Sequence, residues 1–225
     1  MQFLRQAALV LQRDITIELR QKSLLVSMIV FSILIQVVLF ISFDVQKEAM
    51  QTLAAGILWL PIILSAMISF SKYAKAEKEN GAMHGMLVSP INRGAMFLGK
   101  LMGNLIFVSM VGVVSVPAFF LFLKQPPPSS TALLLLTLFL GSWGFTAIGV
   151  FLANLAEASS LKELLVPIML FPMSVPLLIA IIRLTEMALY PTVELGMSLW
   201  IVLLIAYNVL FTVVPLLLFD VLLEV

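Results

Sequence analysis

Twelve acidic side chains, thirteen lysines and arginines and a single histidine carry nearly all the titratable chemistry of this chain, and no cysteine joins them. Without cysteine there is no disulfide, no thiolate metal ligand and no thiol nucleophile. His84 stands alone, so it cannot contribute to a paired-histidine metal or cofactor site, and it reads as a surface residue of a short helix. Thirteen methionines could in principle offer a thioether to a cofactor iron, but scattered as they are among apolar runs they read as packing material. No phosphate-binding loop, His/Glu metal helix, nucleophile elbow or glycine-rich dinucleotide turn occurs. The chain itself has no visible means of breaking or making covalent bonds.

What chemistry there is concentrates between Lys72 and Lys100, in KYAKAEKENGAMHGMLVSPINRGAMFLGK. Lys72 to Asn80 is rich in strong helix formers and extends the preceding apolar segment. Gly81 offers a stop, because glycine takes the left-handed position after a helix without a Cβ clash. Ala82 to Val88 can form a second short helix, ended at Ser89-Pro90 because proline cannot continue it. Met83, Met86 and Leu87 fall at i, i+3 and i+4 and share one face. Such a helix suits docking of a soluble partner; a solvated loop with incidental helix fits the same residues.

The elements around this island are apolar. Hydrophobic residues make up 62% of the 225 and charged residues 11%, which a single soluble core of this size cannot accommodate. A membrane domain follows, with 1–225 as one unit and no room for a soluble catalytic domain. The beginning of the chain lacks the short apolar run and small-residue cleavage site of a secretory signal. Residues 3–22 recur as Leu4, Ala8, Leu11, Ile15 and Leu19 against Arg5, Gln12, Thr16 and Arg20. This segment is too polar to span, and is expected in the membrane interface with its basic residues toward headgroups. A simple anchor and a gating element fit it equally.

Six spans of about 20 residues follow, expected at Ser23–Phe43, Thr52–Ser71, Leu101–Leu123, Thr131–Ala153, Leu164–Ile182 and Leu195–Phe219. Sorting the thirteen basic residues by side leaves ten with the termini and the Lys72–Lys100 island and three (Lys47, Lys124, Arg183) opposite. The positive-inside rule then puts both termini and the island in the cytoplasm. Span centres carry no Asp, Glu, Lys, Arg or His, whereas ion-coupled transporters and intramembrane proteases depend on such residues. Gln36, Asn104 and Asn208 are the main polar groups there and read as interhelical glue. The basic residues flank spans instead of forming a patch, so nucleic-acid binding is not supported. In the fourth span Gly141, Gly144 and Gly149 suit close helix approach.

The fifth span contains Pro167, Pro172 and Pro176. Each proline deletes a backbone donor and pushes on the preceding turn, so this helix is expected to kink or break, either as a re-entrant or hinge element or as a packed kink. The stretch 164–194 thus reads as a broken span followed by an outer segment, with Arg183–Gly196 a short amphipathic helix and Tyr190 at headgroup depth.

The order of these features resembles the membrane subunit of an ABC-2-type transporter: an interfacial helix, six transmembrane helices in an all-α fold, and a cytoplasmic island after the second span. IELRQK (17–22), AAGILWLPIILSAM (54–67), the island's E-x-x-N-G followed by M-x-x-M-L-x-S-P, and LFPMSVPLLIA (170–180) resemble more specifically the CcmB family, the haem exporter B proteins of bacterial cytochrome c maturation. The resemblance implies an inner-membrane, non-catalytic subunit. It implies a coupling helix in the island, around Gly81, Met83, His84, Met86, Leu87 and Pro90, seated on a CcmA-like ATPase in two copies, with Glu77 on the extended second helix that carries the motion into the bilayer. It places a responding element at Pro167, Pro172 and Pro176. It also implies CcmC-like and CcmD-like membrane partners, a CcmE-like haem chaperone, ATP on the partner, and haem as the candidate substrate with no cofactor held by this chain. Family members usually have an acidic residue at His84 and a small hydroxyl residue at Ala82, and Gly85 weakens the short helix by about 1 kcal/mol relative to Ala. An exporter half for a drug or lipid, and a passive assembly scaffold, share the architecture.

Overall fold

The computed structural model describes residues 2–43, 47–79, 92–156, 162–190 and 196–221. These form seven helices: α1 (Gln2–Gln21), α2 (Ser23–Phe43), α3 (Lys47–Glu79), α4 (Arg93–Phe122), α5 (Thr131–Ala156), α6 (Lys162–Leu189) and α7 (Met197–Val221). Six of them, α2 to α7, are long and apolar enough to cross a membrane, and the protein is a multi-pass membrane protein. The two longest run well past the roughly 20 residues that a bilayer needs. The 30 residues of α4 begin with the polar turn at Arg93. Beyond its apolar stretch ending at Phe70, α3 runs nine residues further to Glu79, roughly 13 Å of additional helix.

Burial is uneven among the spans. Over Gly141–Ala153, α5 is enclosed almost all round, with Phe145, Ala147, Ile148 and Leu152 in the core, and α3 contributes Trp59, Ile62, Ala66 and Phe70. In contrast, α2 and α7 leave most of their apolar side chains outward, as lipid-facing helices do. The glycines of α5 explain how close the neighbours come. A Cβ on Gly149 would lie 2.2 Å from the Phe70 ring, one on Gly141 2.4 Å from Trp59, and one on Gly144 2.7 Å from both Leu177 and Asn208. The expected close approach at these positions is what the packing uses.

The sixth helix corrects the expectation of a broken span. α6 is continuous through Pro172 and Pro176 to Leu189. Pro172 and Pro176 are four residues apart on the outward face, beside the exposed Ile168, Val175 and Ile179. Their missing N–H groups therefore lie on the outward side of the helix, away from its packed face. Two hydroxyls reinforce the same stretch: Ser174 Oγ donates to the Phe171 carbonyl (3.0 Å) and the Tyr207 hydroxyl to the Met173 carbonyl (2.8 Å). The carbonyls that lose an N–H partner to the prolines are those of Ile168 and Pro172, so these two bonds brace the same turns without replacing the missing donors. Pro167 lies in the same helix, its side chain outside the description.

Arg183 does not begin a separate amphipathic helix either. Ala180, Ile181, Leu184, Met187 and Ala188 continue one buried stripe at helical spacing, so no change of phase separates an outer helix. The helix end is closed by the α4–α5 connection. Ser130 N donates to the Ala188 carbonyl (3.0 Å) and Ser129 N to the Leu189 carbonyl (3.3 Å), partners that a helix terminus otherwise lacks. The Tyr190 hydroxyl donates to Gln125 Oε1 at 2.7 Å, and burial pushes its pKa above the ordinary value.

Candidate functional site

Of the residues expected to couple to a partner, Gly81, Met83, His84, Met86, Leu87 and Pro90 lie outside the described residues. Glu77 lies on the extension of α3, with its backbone helical. What is described is the frame that holds both ends of this stretch. On one side it is the projecting α3. On the other, Asn92 opens α4: its side chain accepts from Ala95 N at 3.1 Å as an N-cap. Asn92 N in turn donates to Gln6 Oε1 of α1 at 3.1 Å. The chain therefore leaves residue 91 directly onto the α1–α4 corner.

That corner is tight. A Cβ on Gly99 would lie 2.7 Å from the Ala7 carbonyl and from Val10, and Gly94 faces the Phe3 ring and Leu216. Against α4, α1 buries Ala7, Val10, Asp14 and Glu18. Its expected apolar stripe is not the packed face: Leu4, Ala8 and Leu19 are exposed. α1 thus has three sides, one on the protein, one apolar side that suits hydrocarbon, and one polar side.

Glu18 makes the elbow into the first span. Lys22 takes a left-handed conformation (φ 53°) and breaks the helix for one residue. Lys22 N bonds back to the Glu18 carbonyl at 2.6 Å. The Glu18 carboxylate then accepts from both Leu24 N and Leu25 N at 2.8 Å. A carboxylate on two free donors at a helix N-terminus is favoured by charge and by geometry. Asp14 is held by the neighbouring Arg13, whose Nε and Nη2 donate at 2.9 and 2.7 Å.

At the same end of the bundle a polar belt joins three spans. Ser69 Oγ of α3 donates to Asn104 Oδ1 of α4. Asn104 Nδ2 donates to the Lys100 carbonyl at 3.0 Å, and Lys100 Nζ to Asn154 Oδ1 of α5 at 3.1 Å. Ser69, Asn104 and Lys100 are all buried. The extension of α3 thus begins two residues beyond Ser69, a side chain bonded to α4, which is bonded in turn to α5.

Deeper in the bundle the polar groups link helices. Gln36 Nε2 donates to the Ser115 carbonyl at 3.0 Å while Ser32 and Ser115 share a hydrogen bond. Asn208 Nδ2 donates to the Leu140 carbonyl at 3.0 Å, Trp59 Nε1 to Thr185 and Trp143 Nε1 to Thr212. Among the described residues no cluster of three His, Asp or Glu could hold a metal.

Over residues 5–221 the sequence matches the family described as CcmB protein. The chain belongs to the CcmB family. It is 25% identical to heme exporter protein B of Pseudomonas aeruginosa over 76% of its own length and 77% of that protein's. To heme exporter protein B of Rhodobacter capsulatus it is 29% identical over 60% of its length and 61% of that protein's. In this CcmB-family fold, the expected site residues on α3 and α6 lie among the described ones. Pro172 and Pro176 face outward on α6, and Glu77 stands on α3. Glu18, Asp14, Ser69 and Asn154 were not singled out from sequence. Of these, only Glu18 leaves a trace there, as an acid just before a helix junction (IELRQKS).

Proposed function

We propose that this chain is the membrane subunit of a haem exporter of the bacterial inner membrane and transmits work done by a separate ATP-hydrolysing subunit. Its relatives are heme exporter B proteins. The observation that carries the reading is the rigid path from the island into the bundle. α3 runs without interruption from Glu79 to the buried Phe70, and just inside that point Ser69, Asn104, Lys100 and Asn154 tie it to α4 and α5. Force applied near Met83–Leu87 enters at the root of this path. Both termini and the island face the cytoplasm, and Pro172 and Pro176 lend α6 the compliance to respond. The partner set is a CcmA-like ATPase in two copies with CcmC-like and CcmD-like subunits.

Gln36, Ser69, Trp59, Trp143 and Asn208 each make an interhelical bond, and the described spans carry no histidine. This favours transmission, with release of a haem-loaded CcmE-like chaperone as the output, over passage of haem through this subunit. Met83→Asp with Leu87→Asp is expected to abolish co-purification with the ATPase while membrane insertion stays intact. It is also expected to stop maturation of c-type cytochromes in a strain lacking the wild-type gene. Retained ATPase binding by that variant would defeat the coupling assignment. Normal maturation with an ATPase unable to hydrolyse ATP would leave only a scaffold.

A further inference from the structure

The buried positions of α2 are Leu24, Met28, Ser32 and Gln36, one per turn. This stripe changes character halfway along. Next to α1 it is anchored. Leu24 and Met28 belong to the main core, Ser65 Oγ of α3 donates to the Met28 carbonyl at 3.1 Å, and Glu18 accepts from Leu24 N and Leu25 N. Beyond Met28 no apolar side chain of α2 is fully buried among the described residues, and Val30, Phe31, Leu34, Val38 and Ile41 are exposed. The buried contact there is polar: Ser32 shares a hydrogen bond with Ser115 of α4, and Gln36 Nε2 donates to the Ser115 carbonyl. Leu39 and Phe40 are only half-buried, with the Phe40 and Phe122 ring centres 6.4 Å apart.

Helices surrounded by hydrocarbon gain no hydrophobic free energy from touching, and associate through close packing and polar contacts. The half of α2 near α1 has both. Its far half hangs mainly on one residue of α4, Ser115. That contact is also incomplete: Gln36 is 0% exposed, yet its Oε1 has no hydrogen-bond partner among the described residues. A buried acceptor without a donor penalises the closed arrangement, and a state in which water reaches the amide relieves the penalty. We infer that α2 is a lateral hinge, whose half beyond Met28 parts from α4 along Ser32, Gln36 and Ser115 while the half near α1 stays fixed. The parted state admits water to this seam from the end of the bundle opposite α1. The motion belongs to the chain itself and does not rest on the coupling reading above.

The test uses the full chain in lipid nanodiscs. Because the chain has no native cysteine, spin labels can be placed in pairs on exposed positions of α2 and α4. Ile41→Cys with Leu121→Cys reports the far end, and Val26→Cys with Met110→Cys the near end. Dipolar distance measurements are expected to show a second, longer population for the far pair and a single one for the near pair. Two buried hydroxyls then serve as paired reporters of water: Ser32→Cys in the seam and Ser65→Cys at the anchored half, at positions 1% and 0% exposed. With unfolding temperatures like that of the wild type, Ser32→Cys is expected to react with a charged, water-soluble thiol reagent at least tenfold faster than Ser65→Cys. A single narrow distance for the far pair, or a Ser32→Cys as protected as Ser65→Cys, would overturn the inference. Two populations at both ends, or equally fast reaction of both cysteines, would reveal a loosened bundle with no hinge and would overturn it too.

Discussion

Among the described glycines, Gly149 has the tightest surroundings. Its missing methyl is replaced by the Phe70 ring, which is itself 1% exposed and has nowhere to move. Gly149→Ala is therefore expected to cost about 1–3 kcal/mol by overpacking, visible as a lower unfolding temperature in detergent. Phe70→Leu in the same chain should recover most of the loss. Gly112, with open space at its Cβ position, supplies the control: Gly112→Ala should be neutral or stabilise by up to about 1 kcal/mol. Glu18 is the second sensitive residue. Glu18→Ala leaves two amides of α2 without their acceptor and should cost about 2 kcal/mol, whereas Glu18→Gln keeps an acceptor and should cost less. The glycines could be read from sequence because a small residue within an apolar run has few other uses. Glu18 could not, since its role depends on Lys22 adopting a positive φ, which nothing in a lysine's chemistry announces.

Between helices the same contrast holds. Three prolines in one span pointed to a break, and single-residue rules support that expectation. What overrides them is placement: Pro172 and Pro176 share the outward face, while the packed face of the same turns is braced by Tyr207 and Ser174 on the Met173 and Phe171 carbonyls. Those partners come from packing and a rotamer, so sequence could not supply them. Replacing both prolines by alanine should leave the fold intact and its unfolding temperature unchanged or raised, because the ladder regains two donors. A collapse of the fold in that variant would show that the prolines themselves are needed for packing. The polar belt makes a second expectation. Ser69→Ala and Asn104→Ala each remove one partner of one buried bond, so the double variant should cost less than the sum of the single ones. The coupling expected in a double-mutant cycle is about 0.5–2 kcal/mol, and strict additivity would mean the two helices are held by apolar packing alone.

For the molecule as a whole, the number and placement of the spans followed from apolar run lengths, because a bilayer demands about 20 such residues whatever they pack against. Which spans are central did not follow: α2 and α5 are similarly apolar, yet only α5 is enclosed. Orientation rests on the uneven spread of lysine and arginine, and it sets the sign of every functional statement. If α1 and the Lys72–Lys100 island face the cytoplasm, the α4–α5 connection and Arg183 face outward. A membrane-impermeant maleimide added to intact spheroplasts should then label Pro127→Cys and Arg183→Cys, both exposed positions, and should reach Arg20→Cys, also exposed, only after permeabilisation. Because the chain has no cysteine of its own, each signal reports one site. The opposite pattern would put Met83–Leu87 where no ATPase can reach it, and with it the route by which ATP hydrolysis could act on this bundle.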